Sequence, residues 1–367
     1  MRIVFAAGGT GGHILPALSV ADELRARVSG LEALFVGTRY GLESRLVPAA
    51  GYEIRYISAR GVRGRGAAAR IRSAASIAVG FFQSLALLLR FKPDVVFGSG
   101  GYASAAVVLA ASCLRGKIVI QEQNSIPGLT NRLLARHARR IYLGFEKASG
   151  YFGSHRGLLV TGNPLRAEIV SPGPVDLRKE FGIEGSGPVL LVFGGSQGAR
   201  TLNRAAAEYL LARPGVRAII QTGEQDYAWM NERLGGLSGR VCVRPYFEAM
   251  HRAYAAATVC LARAGALTVS ELAAAAVPSI LVPYPHAADD HQSYNASFLA
   301  EAGGAIVIRD SDLNKDTLAS ILDPLFADAA RLAAMRSALD RAARIDAAAI
   351  IAGDVLAVVS AGRSEKA

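Results

Sequence analysis

Short runs of β-branched and aliphatic residues alternate with longer Ala- and Leu-rich stretches over nearly the whole chain. The apolar runs are Arg2–Ala6, Ala33–Val36, Val95–Gly98, Lys117–Gln121, Ile141–Leu143, Val189–Phe193, Arg217–Thr222 and Ser279–Val282. Runs of that length and type predict strands, and the stretches between them predict helices. Regular alternation of the two predicts parallel sheets covered by helices on both faces, an α/β protein.

One pattern occurs twice. Ile3-Val4-Phe5-Ala6 leads into Gly8-Gly9-Thr10-Gly11-Gly12-His13, and Leu190-Leu191-Val192-Phe193 leads into Gly194-Gly195-Ser196-Gln197-Gly198-Ala199. Strand, glycine turn and helix in that order open a Rossmann-like half. A segment rich in Gly and Pro, from Gly162 through Gly187, lies between the two halves. It predicts a linker, with the boundary near Arg166. The expected domains are therefore 1–165 and 166–344, two Rossmann-like units facing across a cleft, where ligands usually bind.

Composition narrows the partners. Hydrophobic residues make up 51% of the 367 and charged residues 19%, which supplies two cores and argues against disorder. Lys plus Arg number 41 against 30 Asp plus Glu, a net +11. Such an excess suits nucleic acid, an anionic membrane surface or a phosphorylated substrate. The three cysteines, Cys113, Cys242 and Cys260, form no C-x-x-C pair, so no zinc or thiol-redox site is signalled. Their low, odd count fits a reducing compartment. The apolar N-terminus runs straight into a glycine loop, which reads as a first strand and not as a signal peptide. No uninterrupted apolar run reaches the roughly 18 residues of a membrane-spanning helix.

A glycine turn between strand and helix lets backbone N–H groups approach a phosphate. Three such turns occur: Gly8–His13, Gly98-Ser99-Gly100-Gly101-Tyr102, and Gly194–Ala199. Any one of them could serve only tight strand–helix packing. Together they favour phosphate recognition. The first reads Gly9-Thr10-Gly11-Gly12-His13-Ile14, without the last glycine of the dinucleotide fingerprint, and no P-loop motif occurs. Dehydrogenase and P-loop readings both lose ground.

Longer motifs now make the chain family-specific. They are Gly8–His13, Gly100-Gly101-Tyr102, Glu122-Gln123-Asn124 with Gly128-Leu129-Thr130-Asn131, Thr161-Gly162-Asn163-Pro164-Leu165-Arg166, Gly194–Ala199 with Asn203, and Arg263-Ala264-Gly265-Ala266-Leu267-Thr268-Val269-Ser270-Glu271. In order and spread they resemble the MurG family of glycosyltransferases. The resemblance implies the GT-B fold and transfer, with inversion, of N-acetylglucosamine from UDP-N-acetylglucosamine. The implied acceptor is the C4 hydroxyl of undecaprenyl-diphosphoryl-N-acetylmuramyl-pentapeptide, lipid I, and the product is lipid II of peptidoglycan. It implies no cofactor and no metal, and a C-terminal helix of about 345–367 that packs back on the first domain. One departure stands out. The family commonly has a histidine directly before Glu-Gln-Asn, where this chain has Gln121.

The residue roles follow from that reaction. A sugar hydroxyl needs a base, and His13 at the mouth of a helix is the candidate, with Glu122 as its catalytic companion. Thr10, Gly11, Gly12, Tyr102, Asn124 and Asn131 are expected on the acceptor side. Ser196 and its loop, with Asn203, are expected at the UDP phosphates, and Arg166 and Arg263 are cations near the donor. Phe247 resembles the apolar residue beside uracil. Ala266, Leu267, Thr268, Val269, Ser270 and Glu271 form the donor motif, with Glu271 receiving the ribose hydroxyls and Gln292 matching a sugar-contacting glutamine. Thr268 and Glu271 also have capping-box spacing, so both could simply start a helix. Asp310-Ser311-Asp312 spells the metal motif of other glycosyltransferases, but turn and cap chemistry accounts for it.

The lipid acceptor calls for a membrane face. Arg60, Arg63, Arg65, Arg70 and Arg72 precede the apolar stretch Ile77–Leu89, which Arg90 and Lys92 follow. That suits peripheral binding to anionic lipid, here the cytoplasmic face of a bacterial inner membrane, with some of Ile77, Phe81, Phe82 and Leu85 exposed. Other cell-wall or division proteins are conceivable partners there. A UDP-sugar epimerase would share the UDP loops without needing a lipid acceptor. A basic binding module would explain the +11 but not three glycine loops, and no nucleic-acid motif occurs.

Overall fold

Strands β1 Arg2–Ala6, β2 Glu32–Gly37, β3 Glu53–Tyr56, β4 Val95–Gly98, β5 Ile118–Glu122, β6 Arg140–Leu143 and β7 Leu158–Val160 build one sheet, in the order β3-β2-β1-β4-β5-β6-β7. Strands β8 Val189–Phe193, β9 Arg217–Gln221, β10 Val241–Arg244, β11 Val259–Ala262, β12 Ser279–Leu281 and β13 Ala305–Val307 build the second, in the order β10-β9-β8-β11-β12-β13. The structure is a computed structural model that describes residues 1–59 and 67–364, with side chains omitted at 67–74 and 362–364. Every strand pair among the described residues is parallel.

A parallel sheet is buried on both faces, and β1 shows why its run is continuously apolar. Ile3 and Phe5 pack with Ile14 and Leu18 of the helix Gly11–Arg27, and with Ile351 and Val355 of the helix Ala347–Ser364. Val4 and Ala6 face the other way, onto Val107 and Ala110 of the helix Gly101–Cys113. The second sheet buries Leu190, Val192, Leu261 and Ile280 against Leu202, Ala206 and Leu210 of the helix Arg200–Leu211.

The chain divides into two compact units. One is Met1–Arg166 with Arg344–Ala367; the other is Ala167–Ala343. Polar ties add to the apolar seam that holds the C-terminal helix in the first unit. Asp354 accepts from the Tyr142 hydroxyl at 2.8 Å and pairs with Arg140 at 3.1 Å. Burial, reinforced by the Asp354 charge, pushes the Tyr142 hydroxyl up, so it remains a donor. Lys117 Nζ donates to the Val359 carbonyl at 2.8 Å.

The sequence runs locate eight of these strands to within a residue or two. Strands β3, β7, β10, β11 and β13 fall outside them. Each of the five has three or four residues, too few for a period of two to stand out from its surroundings.

Strand order reverses between β1 and β4 in the first sheet and between β8 and β11 in the second. Ligands of open α/β sheets bind beyond the carboxyl ends of the strands at such points. The glycine turns after β1, β4 and β8, and the Arg263–Glu271 motif after β11, all lie there.

Candidate active site

Helix starts at the two switch points share a feature found also at Leu129–Leu134, Met250–Ala256 and His291–Ala302. The helices Gly11–Arg27, Gly101–Cys113, Arg200–Leu211 and Ala266–Ala274 have no side-chain cap and no acidic residue in the first turn. Elsewhere Asp176, Asn314 and Asp328 cap the helices that follow them. Uncapped first-turn N–H groups and an uncompensated positive helix end suit an anion.

In the first unit His13 is the third residue of its helix and is half-buried. Its Nδ1 lies 3.0 Å from Gln123 Oε1, and its carbonyl accepts from the Ser99 hydroxyl at 2.7 Å. Gly100, at φ +97°, leaves room for the ring: a Cβ there would stand 2.8 Å from Nδ1. Thr10 is exposed, Gly11 and Gly12 half-buried, and Tyr102, the second residue of the helix after β4, is 47% exposed.

Glu122, expected as the catalytic companion of His13, is buried in a hydrogen-bonded clamp. Its side chain is 1% exposed, and it accepts from Asn124 N at 2.9 Å, Gly128 N at 3.1 Å and Asn131 Nδ2 at 2.9 Å. Both carboxylate oxygens are engaged, so Glu122 organises the loop from Asn124 to Asn131. Asn131, 2% exposed, belongs to the same clamp, in which Asn124 is half-buried and Gly128 exposed.

Sequence reasoning missed a second buried carboxylate. Glu43, 1% exposed, accepts from Gly9 N at 3.0 Å and from Thr38 N and Oγ1, both at 2.8 Å. Gly8, Gly37 and Gly41 crowd it so closely that a Cβ on Gly37 or Gly41 would collide with its side chain. Glu43 therefore holds the glycine turn from which His13 projects. The signal was glutamate at the start of an unremarkable helix, which sequence patterning assigns to the surface.

In the second unit the turn Gly194–Ala199 wedges against Thr222 and Gly223, and a Cβ on Gly198 would strike the Thr222 carbonyl. Ser196 is exposed at its tip. Gln221, 2% exposed, donates to the Gly195 carbonyl at 3.1 Å and accepts from Phe247 N at 2.9 Å. One side chain thus joins the Gly194–Ala199 turn to the Phe247 loop. A polar residue ending an apolar strand was the available clue. Phe247 itself is 5% exposed and packs edge-on to Phe181.

The donor motif is more buried than expected. Val269 is fully buried and Ala266 nearly so, which makes their side chains core and leaves backbone N–H groups as their contribution. Leu267, Thr268 and Ser270 are half-buried. The capping box does not form: the helix begins at Ala266 with Gly265 as its N-cap, two residues ahead of Thr268. Glu271 instead accepts from the buried Tyr254 hydroxyl at 2.9 Å. Gln292 Oε1 accepts from Ala264 N at 3.2 Å and Tyr284 N at 2.9 Å, leaving its amide nitrogen to donate.

Two further expected site residues have partners within the second unit. Arg263 pairs with Asp310 at 2.6 Å and donates to the Val282 carbonyl at 3.2 Å. It ties β11 to β12 and to the Asp310–Asp312 turn, which gives that acidic triplet a structural partner. Asn203 is fully buried and donates to the Thr222 carbonyl at 3.0 Å and to Asp226 at 2.9 Å. It holds the Thr222 carbonyl against which the Gly194–Ala199 turn packs. Arg166, half-buried, closes the first unit where the chain leaves it.

Two parallel-sheet units of this build, with glycine turns at the switch points, are the architecture of GT-B glycosyltransferases. A crystal structure of Acinetobacter baumannii MurG aligns with TM-score 0.74 and 28% identity over 96% of this chain and 98% of that one. Sequence profiles of the glycosyltransferase family 28 N-terminal and C-terminal domains match residues 3–143 and 189–349. The chain belongs to glycosyltransferase family 28 and, within it, to the MurG transferases. A relative from Geotalea daltonii is 41% identical over 362 residues, 97% of each chain. It is named UDP-N-acetylglucosamine--N-acetylmuramyl-(pentapeptide) pyrophosphoryl-undecaprenol N-acetylglucosamine transferase. A UDP-GlcNAc 2-epimerase from Neisseria meningitidis, bound to UDP-GlcNAc, aligns with TM-score 0.67 over 97% of this chain and 100% of that one. Its identity is 12%, so it shares the fold alone.

Proposed function

We propose that the chain transfers N-acetylglucosamine from UDP-N-acetylglucosamine to the C4 hydroxyl of undecaprenyl-diphosphoryl-N-acetylmuramyl-pentapeptide, forming lipid II from lipid I. The observation that carries this is 41% identity, over 97% of both chains, to a transferase named for that donor and acceptor. Residues 1–165 take the acceptor and residues 166–344 the UDP-sugar.

His13 removes the C4 hydroxyl proton as the oxygen attacks the anomeric carbon from the face opposite UDP. The anomeric C–O bond breaks, its electron pair leaves with the diphosphate, and the configuration inverts. The growing negative charge falls to backbone N–H groups of the Ser196 turn and of Ala266–Thr268, a preorganised arrangement that lowers the barrier. Glu271 receives the ribose hydroxyls, the Phe247 loop the uracil, and the Gln292 amide the sugar. Arg166 adds positive charge. Thr10, Gly11, Gly12, Tyr102 and Asn124 meet the acceptor, whose diphosphate suits the uncapped helix starts.

The acceptor's lipid locates the enzyme at a membrane surface. No helix among the described residues is long and apolar enough to cross one. The helix Ala67–Phe91 exposes Val79, Phe82 and Leu89 by 49%, 66% and 55%, at spacings of three and seven that place them on one face. Of the four residues among which some were expected outside, Phe82 is the exposed one. Phe81 and Leu85 pack against the core, and Ile77 is half-buried. Arg60, Arg63 and Arg65 lie outside the described residues, as do the side chains of Arg70 and Arg72. We place this apolar strip, with Arg90 and Lys92 beyond it, against anionic lipid on the cytoplasmic face.

The direct test is label transfer from UDP-N-acetylglucosamine to a short-chain lipid I analogue. Transfer that requires the acceptor is expected; an epimerised sugar formed without acceptor would refute the proposal. His13→Ala should lower kcat by about 10²–10⁴ and leave the Kd for UDP-N-acetylglucosamine unchanged.

A further inference from the structure

We infer that three buried side-chain amides, Gln123, Gln121 and Asn163, hold the His13 ring in its Nδ1–H tautomer and so present Nε2 as the free lone pair. The catalytic meaning of this rests on the base role proposed above; the tautomer itself does not.

The amides form a chain whose polarity is set at two points by groups that can only accept. Gln123 Nε2 lies 2.9 Å from the Ser99 carbonyl oxygen. A backbone carbonyl has no proton to give, so this end of Gln123 is its NH2. The other end, 3.0 Å from His13 Nδ1, is therefore its oxygen. Asn163 Nδ2 lies 3.0 Å from the Gln123 carbonyl oxygen, which fixes Asn163 in the same way. Its Oδ1 then receives Gln121 Nε2–H at 3.0 Å. Gln121 turns Oε1 toward Gln123 Nε2 and accepts from it, which closes the chain.

No member can turn over without setting acceptor against acceptor or donor against donor. Water offers no escape, because Gln121, Gln123 and Asn163 are 0%, 2% and 1% exposed. The backbone makes room at both ends. A Cβ on Gly100 would stand 2.8 Å from the His13 ring, and one on Gly144 would collide with the Asn163 amide. His13 Nδ1 thus faces an oxygen acceptor and carries the ring's hydrogen. In a neutral imidazole the other nitrogen, Nε2, is then the acceptor. The amides touch no reacting atom; they are positioning residues, and being uncharged they orient the ring without exchanging a proton with it.

The tautomer can be read without turnover, from long-range 1H–15N spectra of the full chain labelled at histidine ring nitrogens. The spectra are taken at about two pH units above the ordinary histidine value, and His13→Asn identifies the His13 signals. A protonated Nδ1 and an unprotonated Nε2 are expected. An Nε2–H pattern, or shifts averaged between two tautomers, overturns the inference. Gln123→Met keeps the length and removes the acceptor. It should blur the tautomer and lower kcat at least 10-fold, part of the roughly 10²–10⁴ a general base supplies, with KM for UDP-N-acetylglucosamine unchanged. A wild-type spectrum in Gln123→Met also overturns the inference. An Nδ1–H ring in a protein whose His13→Ala variant is fully active would sink the base role and leave the amide chain standing. An Nε2–H ring with an inactive His13→Ala does the reverse.

Discussion

Replacing Glu43 with alanine tests whether a buried carboxylate holds the turn that presents His13. The side chain accepts at 3.0 Å from Gly9 N and at 2.8 Å from both Thr38 N and Thr38 Oγ1. Hydrogen bonds to a charged group contribute about 1.5–3 kcal/mol each. Gly9 is exposed, so water can replace its partner there, whereas Thr38 is half-buried and Glu43 almost fully so. Counting the two Thr38 bonds in full and the Gly9 bond little gives a loss of roughly 3–6 kcal/mol. For a unit of ~150–250 residues, each kcal/mol shifts Tm by about 2–4 °C, so the first unit should melt ~6–24 °C lower. Glu43→Gln keeps the shape but places a donor near one of the N–H groups, and should lose roughly 1–3 kcal/mol. Calorimetry of each unit's transition, with kcat measured well below the lower Tm, separates the effects. The expected alanine variant is less stable in the first unit only, with kcat lowered and UDP binding retained. A first-unit transition within 1 °C of wild type would show that Glu43 does not hold the turn.

Three further outcomes are expected. Glu271→Gln should weaken UDP binding about tenfold by calorimetry, since one good acceptor for ribose hydroxyls is lost; unchanged affinity would leave Glu271 only its bond to Tyr254. Phe82→Ser should reduce flotation with anionic vesicles, removing up to about 1.5–3 kcal/mol of apolar contact, while turnover on a water-soluble acceptor stays intact; equal flotation would move the membrane face elsewhere. Arg252 hydrogen-bonds Glu180 and holds its carboxyl below the usual carboxylate range. That stabilisation is complete above the unfolded pKa and is lost as pH falls through the lower folded value. Arg252→Gln should therefore flatten the acid limb of the stability profile, and an unaltered limb would refute the linkage.

The legible part of this protein is the part governed by local pattern. Continuous apolar runs such as Val189–Phe193 mark strands buried on both faces, and glycine turns after them mark where the backbone must bend. The order and spread of several motifs, from Gly8–His13 to Arg263–Glu271, carried the resemblance to a family. Local pattern failed where elements are short, as in β11, and where one residue type fits two jobs. Glu122 and His13 both sit in motifs with the chemistry of catalysis, yet one is clamped by Asn124, Gly128 and Asn131 while the other is half-open.

The sequence by itself determined the fold class, the repeated half and the reaction class, because periodicity and motif order survive without knowledge of contacts. Only the tertiary structure decided which polar groups are buried together. Gln121, Gln123 and Asn163 are up to 42 positions apart, and Glu43 meets Gly9 across 34. Nothing local distinguishes them from surface residues. Their roles exist only once the parallel strands bring their carboxyl ends together, exclude water, and leave each donor a single acceptor to find.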